Sequence, residues 1–76
     1  MKWSKHKFEI SEVPKFHAQY LAVARKGEAN LDNCKCIFQL KDDAKIYYFT
    51  LLDFLDAFPK LPPLEKFYFY QPLNKT

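Results

Sequence analysis

The sequence predicts an α+β fold, an antiparallel sheet of about four strands with one or two helices on one face. Three features carry this expectation: short runs that alternate apolar and polar, two stretches whose apolar residues recur at three and four, and turn-forming or helix-breaking residues between them. Seventy-six residues suffice for one hydrophobic core and no second of useful size, so residues 1–76 are expected to form a single domain.

Residues 3–10 end in an alternation with Phe8 and Ile10 on one side and Lys5, Lys7 and Glu9 on the other, which predicts a half-buried first strand. From Ser11 the rhythm changes. Val13, Phe16, Tyr20, Val23 and Ala24 fall at helical spacing, with Ser11 as candidate N-cap, Pro14 in the first turn and Gly27 after a cationic last turn. A helix over roughly 12–26 follows, favoured by Ala18, Ala22 and Ala24 over a competing strand at 16–25.

Glu28 to Asn33 reads as a polar connection. Cys34, Cys36, Phe38 and Leu40 then alternate with Lys35, Ile37, Gln39 and Lys41; a turn at Asp42 to Ala44 leads into a strand over 45–49, completing a hairpin. Thr50 and Asp53 have capping-box spacing ahead of a helix whose apolar side holds Leu51, Leu55 and Phe58, with Leu52 and Phe54 beside them, and Pro59 should stop it. An extended connector, 60–63, precedes a last strand over 66–70, with Phe67 and Phe69 on one face and Tyr68 and Tyr70 on the other. Pro72 ends that strand and the tail is polar. The resulting βαββαβ order favours a ferredoxin-like arrangement. A strand at 16–25 would instead give a β-meander crossed by one short helix.

Composition narrows the function classes. Hydrophobic residues make up 49% and charged ones 28%, and one Gly against five Pro is unlike a disordered linker. The net charge of +3 comes wholly from residues 1–30, with six basic groups against three acidic. Eleven of the twelve basic residues are Lys and only Arg25 is Arg, which disfavours bidentate reading of guanine edges in DNA. The start lacks the apolar segment of a secretory signal, and the central apolar run 46–49 is too short to span a bilayer, so a soluble, cytoplasmic protein without membrane contact is expected.

No arrangement of residues names a reaction. Cys34, Cys36, His6 and His17 would be a zinc set only if folding gathered them, and C-x-C spacing with unpaired histidines favours ordinary small core cysteines in a reducing compartment. Asp53 and Asp56 suit the start of a helix, Asp42 and Asp43 suit a turn, and the P-x-x-P match at Pro59 to Pro62 suits a rigid connector. A non-enzymatic protein without a cofactor is expected.

The sheet face turned away from the helices is the candidate binding surface. If Phe8, Ile10, Phe16, Tyr20, Phe38, Leu40, Leu51, Leu55, Phe58, Phe67 and Phe69 form the core, then Lys5, Lys7, Lys35, Lys41, Tyr68 and Tyr70 point away, with Trp3 near the edge and either Tyr47 or Tyr48 among them. Interleaved Lys and Tyr on an open sheet suit single-stranded nucleic acid without sequence preference. The strand at 45–50, however, lacks the Gly and basic residue of an RNA-recognition motif. The same rings suit a protein interface. The favoured expectation is a small binding protein that occupies a surface of a larger protein or complex. Lys-, Phe- and Tyr-rich usage and small size fit a phage or mobile-element inhibitor of host machinery, such as an anti-CRISPR or other anti-defence protein; a structural subunit of a larger assembly would show the same surface.

Overall fold

A computed structural model describes residues 3–27, 31 and 33–72. Strand β1 spans Trp3–Phe8, a 3-10 turn Ile10–Glu12, helix α1 Val13–Lys26, β2 Lys35–Leu40, β3 Ile46–Thr50, helix α2 Leu51–Ala57, a second 3-10 turn Phe58–Lys60, and β4 Leu64–Pro72. The α+β class is therefore as the sequence predicts, with four strands in one sheet and both helices packed on one face.

The sheet order is β1-β4-β2-β3, and every neighbouring pair is antiparallel. This departs from the ferredoxin-like arrangement, which places the first and third strands side by side and parallel at the centre. Here β4 and β2 hold the centre. The reason lies in β4, a nine-residue strand whose Phe67 and Phe69 are 0% and 2% exposed. Between β1 and β2 it pairs along both edges, which gives the longest strand partners for its backbone groups on either side. The meander alternative fails because residues 16–25 are helical and put Phe16 into the core.

The entry to α1 differs from expectation. Ser11 is not its N-cap; it lies inside the 3-10 turn, where the Glu9 N–H donates to Glu12 Oε1 at 3.3 Å and the Glu12 N–H to the Glu9 carbonyl at 2.8 Å. Ile10 leaves the strand for the same turn and is half-buried against the core. At the other end Gly27 takes φ 69°, and its N–H reaches the carbonyls of Val23 and Ala24 at 3.1 and 3.2 Å. Only Gly adopts that left-handed conformation without steric cost. Helix α2 is capped as expected by the Thr50 hydroxyl, which accepts the Asp53 N–H at 3.1 Å. It ends at Ala57, and Pro59 sits within the 3-10 turn that follows.

Phe16 is the hub of the core, with ring centroids 4.9 Å from Phe8, 5.2 Å from Phe67 and 5.0 Å from Phe69. Phe54 of α2 is the second hub, 4.9 Å from Phe67 and 5.6 Å from Phe38. Of the predicted core, Phe16, Phe38, Leu51, Leu55, Phe67 and Phe69 are buried; Phe8, Ile10, Tyr20, Leu40 and Phe58 are its half-buried margin. Val13 and Phe54, on the apolar sides expected of the two helices, are buried as well, whereas Leu52, expected beside Phe54, is exposed; Leu31 and Leu64 are buried without having been predicted. Leu31 falls in the expected polar connection, of which residues 28–30 and 32 lie outside the described residues, as does the tail at 73–76.

Candidate functional site

Register fixes which side chains share the open face, because directly opposed residues in an antiparallel pair point the same way. One row across the sheet holds Lys5, Tyr70, Lys35 and Thr50; the next holds Lys7, Tyr68, Ile37 and Tyr48. Trp3 and Pro72 close one end of the face, and Lys66, Gln39 and Ile46 the other. Of the predicted site residues, Trp3, Lys5, Lys7, Lys35, Tyr68 and Tyr70 are thus brought together. Lys41 is not part of them. It lies in the turn after β2, where its N–H bonds to the Pro63 carbonyl at 2.9 Å, because the strand ends at Leu40 and the chain turns at Lys41 and Asp42.

Tyr48, and not Tyr47, belongs to this face. Tyr48 is 74% exposed, whereas Tyr47 faces the helices and stacks on Phe38 with centroids 5.5 Å apart. Lys66 and Ile37 are members that the sequence pattern left unassigned. The signal was present: Lys66 shares the parity of Tyr68, and Ile37 that of Lys35.

No carboxylate occupies any of these paired positions among the described residues, while Lys5, Lys7, Lys35 and Lys66 supply positive charge. The lysines do not stand clear of the rings. Lys5 Nζ lies 4.6 Å from the Tyr68 centroid, and Lys35 Nζ reaches across β4 to within 5.3 Å of the Trp3 ring. Such cation–π contacts at exposed sites are worth about 0.5–1 kcal/mol each and hold both partners in place. Between the two edges, Trp3, Lys35, Ile37, Tyr48, Thr50 and Tyr70 line an open depression of about 510 Å³.

The chemistry-bearing residues off this face serve the fold. Cys34 and Cys36 are buried, free thiols; burial, reinforced by the neighbouring Cys34, pushes the Cys36 thiol up to about 12, and burial raises Cys34 as well. Neither is poised as a thiolate. His17 Nε2–H donates to the Leu55 carbonyl at 2.8 Å, tying α1 to α2, and its ring packs 4.9 Å from Phe58. No group of three or more His, Cys, Asp or Glu side chains among the described residues is arranged to hold a metal ion. Asp43 organises the hairpin: its carboxylate accepts the Lys45 N–H at 3.0 Å and the Tyr47 hydroxyl at 2.8 Å, which lowers its pKa and raises that of Tyr47. No helix among the described residues is long and apolar enough to cross a membrane. No protein-family model, curated protein or solved structure matches this chain.

Proposed function

We propose that this chain is a small, non-catalytic binding protein that occupies an acidic surface of a larger protein, with the open sheet face as its contact surface. One observation carries the reading: rows of aromatic and aliphatic side chains are interleaved with lysines and free of carboxylates. Rings on a paired sheet offer contact area at little entropic cost, and their lysine neighbours suit a partner of opposite charge. A protein partner is favoured over single-stranded nucleic acid by the placement of the ammonium groups. Those of Lys5 and Lys35 lie over the Tyr68 and Trp3 rings, on faces that stacked bases would need. Protonated core thiols and a histidine engaged by backbone support the non-catalytic part. Inhibition of host machinery by a phage or mobile-element product belongs to the same proposal and rests on the Lys-, Phe- and Tyr-rich residue usage.

The test is affinity capture from the cells that express the chain, with the retained protein then purified and titrated. Wild type should bind it, and Lys35→Glu and Tyr48→Ala should each weaken binding about tenfold or more, as expected of interface anchors. Lys15→Glu, on α1, should leave affinity unchanged. Equal binding by all variants would remove the open face as the contact surface. A parallel titration with a fluorescent single-stranded oligonucleotide separates the alternative, since tight, salt-sensitive binding there would replace the protein partner with nucleic acid.

A further inference from the structure

The two edges of the sheet are unlike. The β1 edge is guarded in the way natural sheets avoid edge-to-edge association, since the strand carries Lys5 and Lys7, and Ser4, Lys5, His6 and Lys7 make it polar. The β3 edge has no such guard. From Ile46 to Thr50 it contains no charge, no Pro and no Gly, it is not paired on its outer side among the described residues, and it exposes Ile46 by 42% and Tyr48 by 74%. All five residues, Ile, Tyr, Tyr, Phe and Thr, are strong strand formers.

We propose that β3 is a self-association edge, at which a second copy of this chain adds its own β3 antiparallel about a two-fold axis through Tyr48. Sequence and charge select a second copy as the occupant. In that register Tyr48 meets Tyr48, Tyr47 meets Phe49, and Ile46 meets Thr50, so each cross-strand pair is aromatic with aromatic or β-branched with β-branched. No like charges meet, although each copy carries a net charge of +3. The β1 edge cannot do this: a two-fold pairing of five of its residues, centred on Lys5 or His6, sets lysine opposite lysine. A two-fold axis perpendicular to the sheet also leaves the open faces of both copies on the same side, giving one continuous eight-stranded surface. This goes beyond the binding function proposed above and does not depend on it.

Sedimentation equilibrium of the purified chain, without any partner, tests the proposal. An interface of one short strand pair lies at the small end of the range, so the mass should rise from monomer towards dimer as concentration increases to about 0.1 mM or above. Tyr48→Lys, which opposes two lysines at the axis, should weaken the dimer at least tenfold while circular dichroism shows an intact fold; Lys7→Glu on the other edge should not weaken it. Amide hydrogen exchange read over the same concentrations should show protection growing in residues 46–50 alone. A wild-type monomer throughout overturns the proposal, as does a dimer that Tyr48→Lys leaves unchanged or whose added protection falls elsewhere.

Discussion

Two buried rings and one thiol concentrate the energetics at single positions. Phe67 is fully buried and meets Phe16, Phe54 and Phe8, so Phe67→Ala removes contacts with both helices and with β1. The expected loss is about 3–5 kcal/mol, against the 5–15 kcal/mol that small domains have to lose. Phe38→Ala, stacked under Tyr47 and beside Phe54, should behave alike. Urea unfolding monitored by Trp3 fluorescence measures both, and an undiminished midpoint in either would mean that the strand faces are reversed. Cys36 gives a pH signature. Its folded pKa of about 12 lies above the ordinary 9.0, so the thiol's contribution to stability is complete below about pH 9 and is lost as pH rises towards 12. Cys36→Ala should therefore show a shallower fall in unfolding midpoint between about pH 9 and 10.5 than wild type. Parallel slopes would contradict the buried, protonated thiol.

Among the elements, α2 depends most on one residue. Seven residues are too few for a helix to persist by propensity, so the Thr50 cap and the burial of Leu51, Phe54 and Leu55 must hold it. Thr50→Ala should cost about 0.5–2 kcal/mol and Thr50→Ser much less, both read from denaturant midpoints. A neutral Thr50→Ala would show that packing alone suffices. This cap was legible because Thr50 and Asp53 stand at the right spacing. The cap of α1 was not. Ser11 has the better side chain, but packing of Ile10 and Val13 draws the chain into a 3-10 turn that Glu9 and Glu12 hold, and α1 starts at Val13 and Pro14 without a side-chain cap. Local preference for a serine cap amounts to about 1 kcal/mol, less than the burial of an apolar side chain, so burial set the geometry of the entry.

For the whole molecule, the separation of faces makes stability and binding independently variable. Tyr48 is mostly exposed and Lys35 lies on the solvent side, so Tyr48→Ala should leave stability within about 0.5 kcal/mol of wild type, and Lys35→Glu, which gives up the contact with Trp3, should cost no more than about 1 kcal/mol. The same variants are the ones expected to lose the partner. A large destabilisation from either would assign those residues to the fold rather than to recognition. Most of the candidate face was readable because strand side chains alternate with period two. Once Phe67 and Phe69 are inside, Tyr68 and Tyr70 are outside. Lys41 was misplaced because β2 stops at Leu40, where its pairing with β4 slips past Glu65, and where a strand stops pairing is a property of two strands together.

What the residues settled by themselves was local: the helix or strand character of most segments, residues 16–25 excepted, where Gly27 and Thr50 end or begin a helix, and which face of β1, β2 and β4 is apolar. These follow from periodicity and cap chemistry within a few residues. The sheet order β1-β4-β2-β3 was decided only by tertiary structure. Pairing partners lie far apart in the chain, and several orders satisfy the same alternation. The burial of Leu31, in a connection that reads as polar, likewise needed the assembled core. The contrast between a lysine-guarded β1 edge and a bare β3 edge arises only once the other two strands have taken the centre, because an edge is defined by what fails to pair with it.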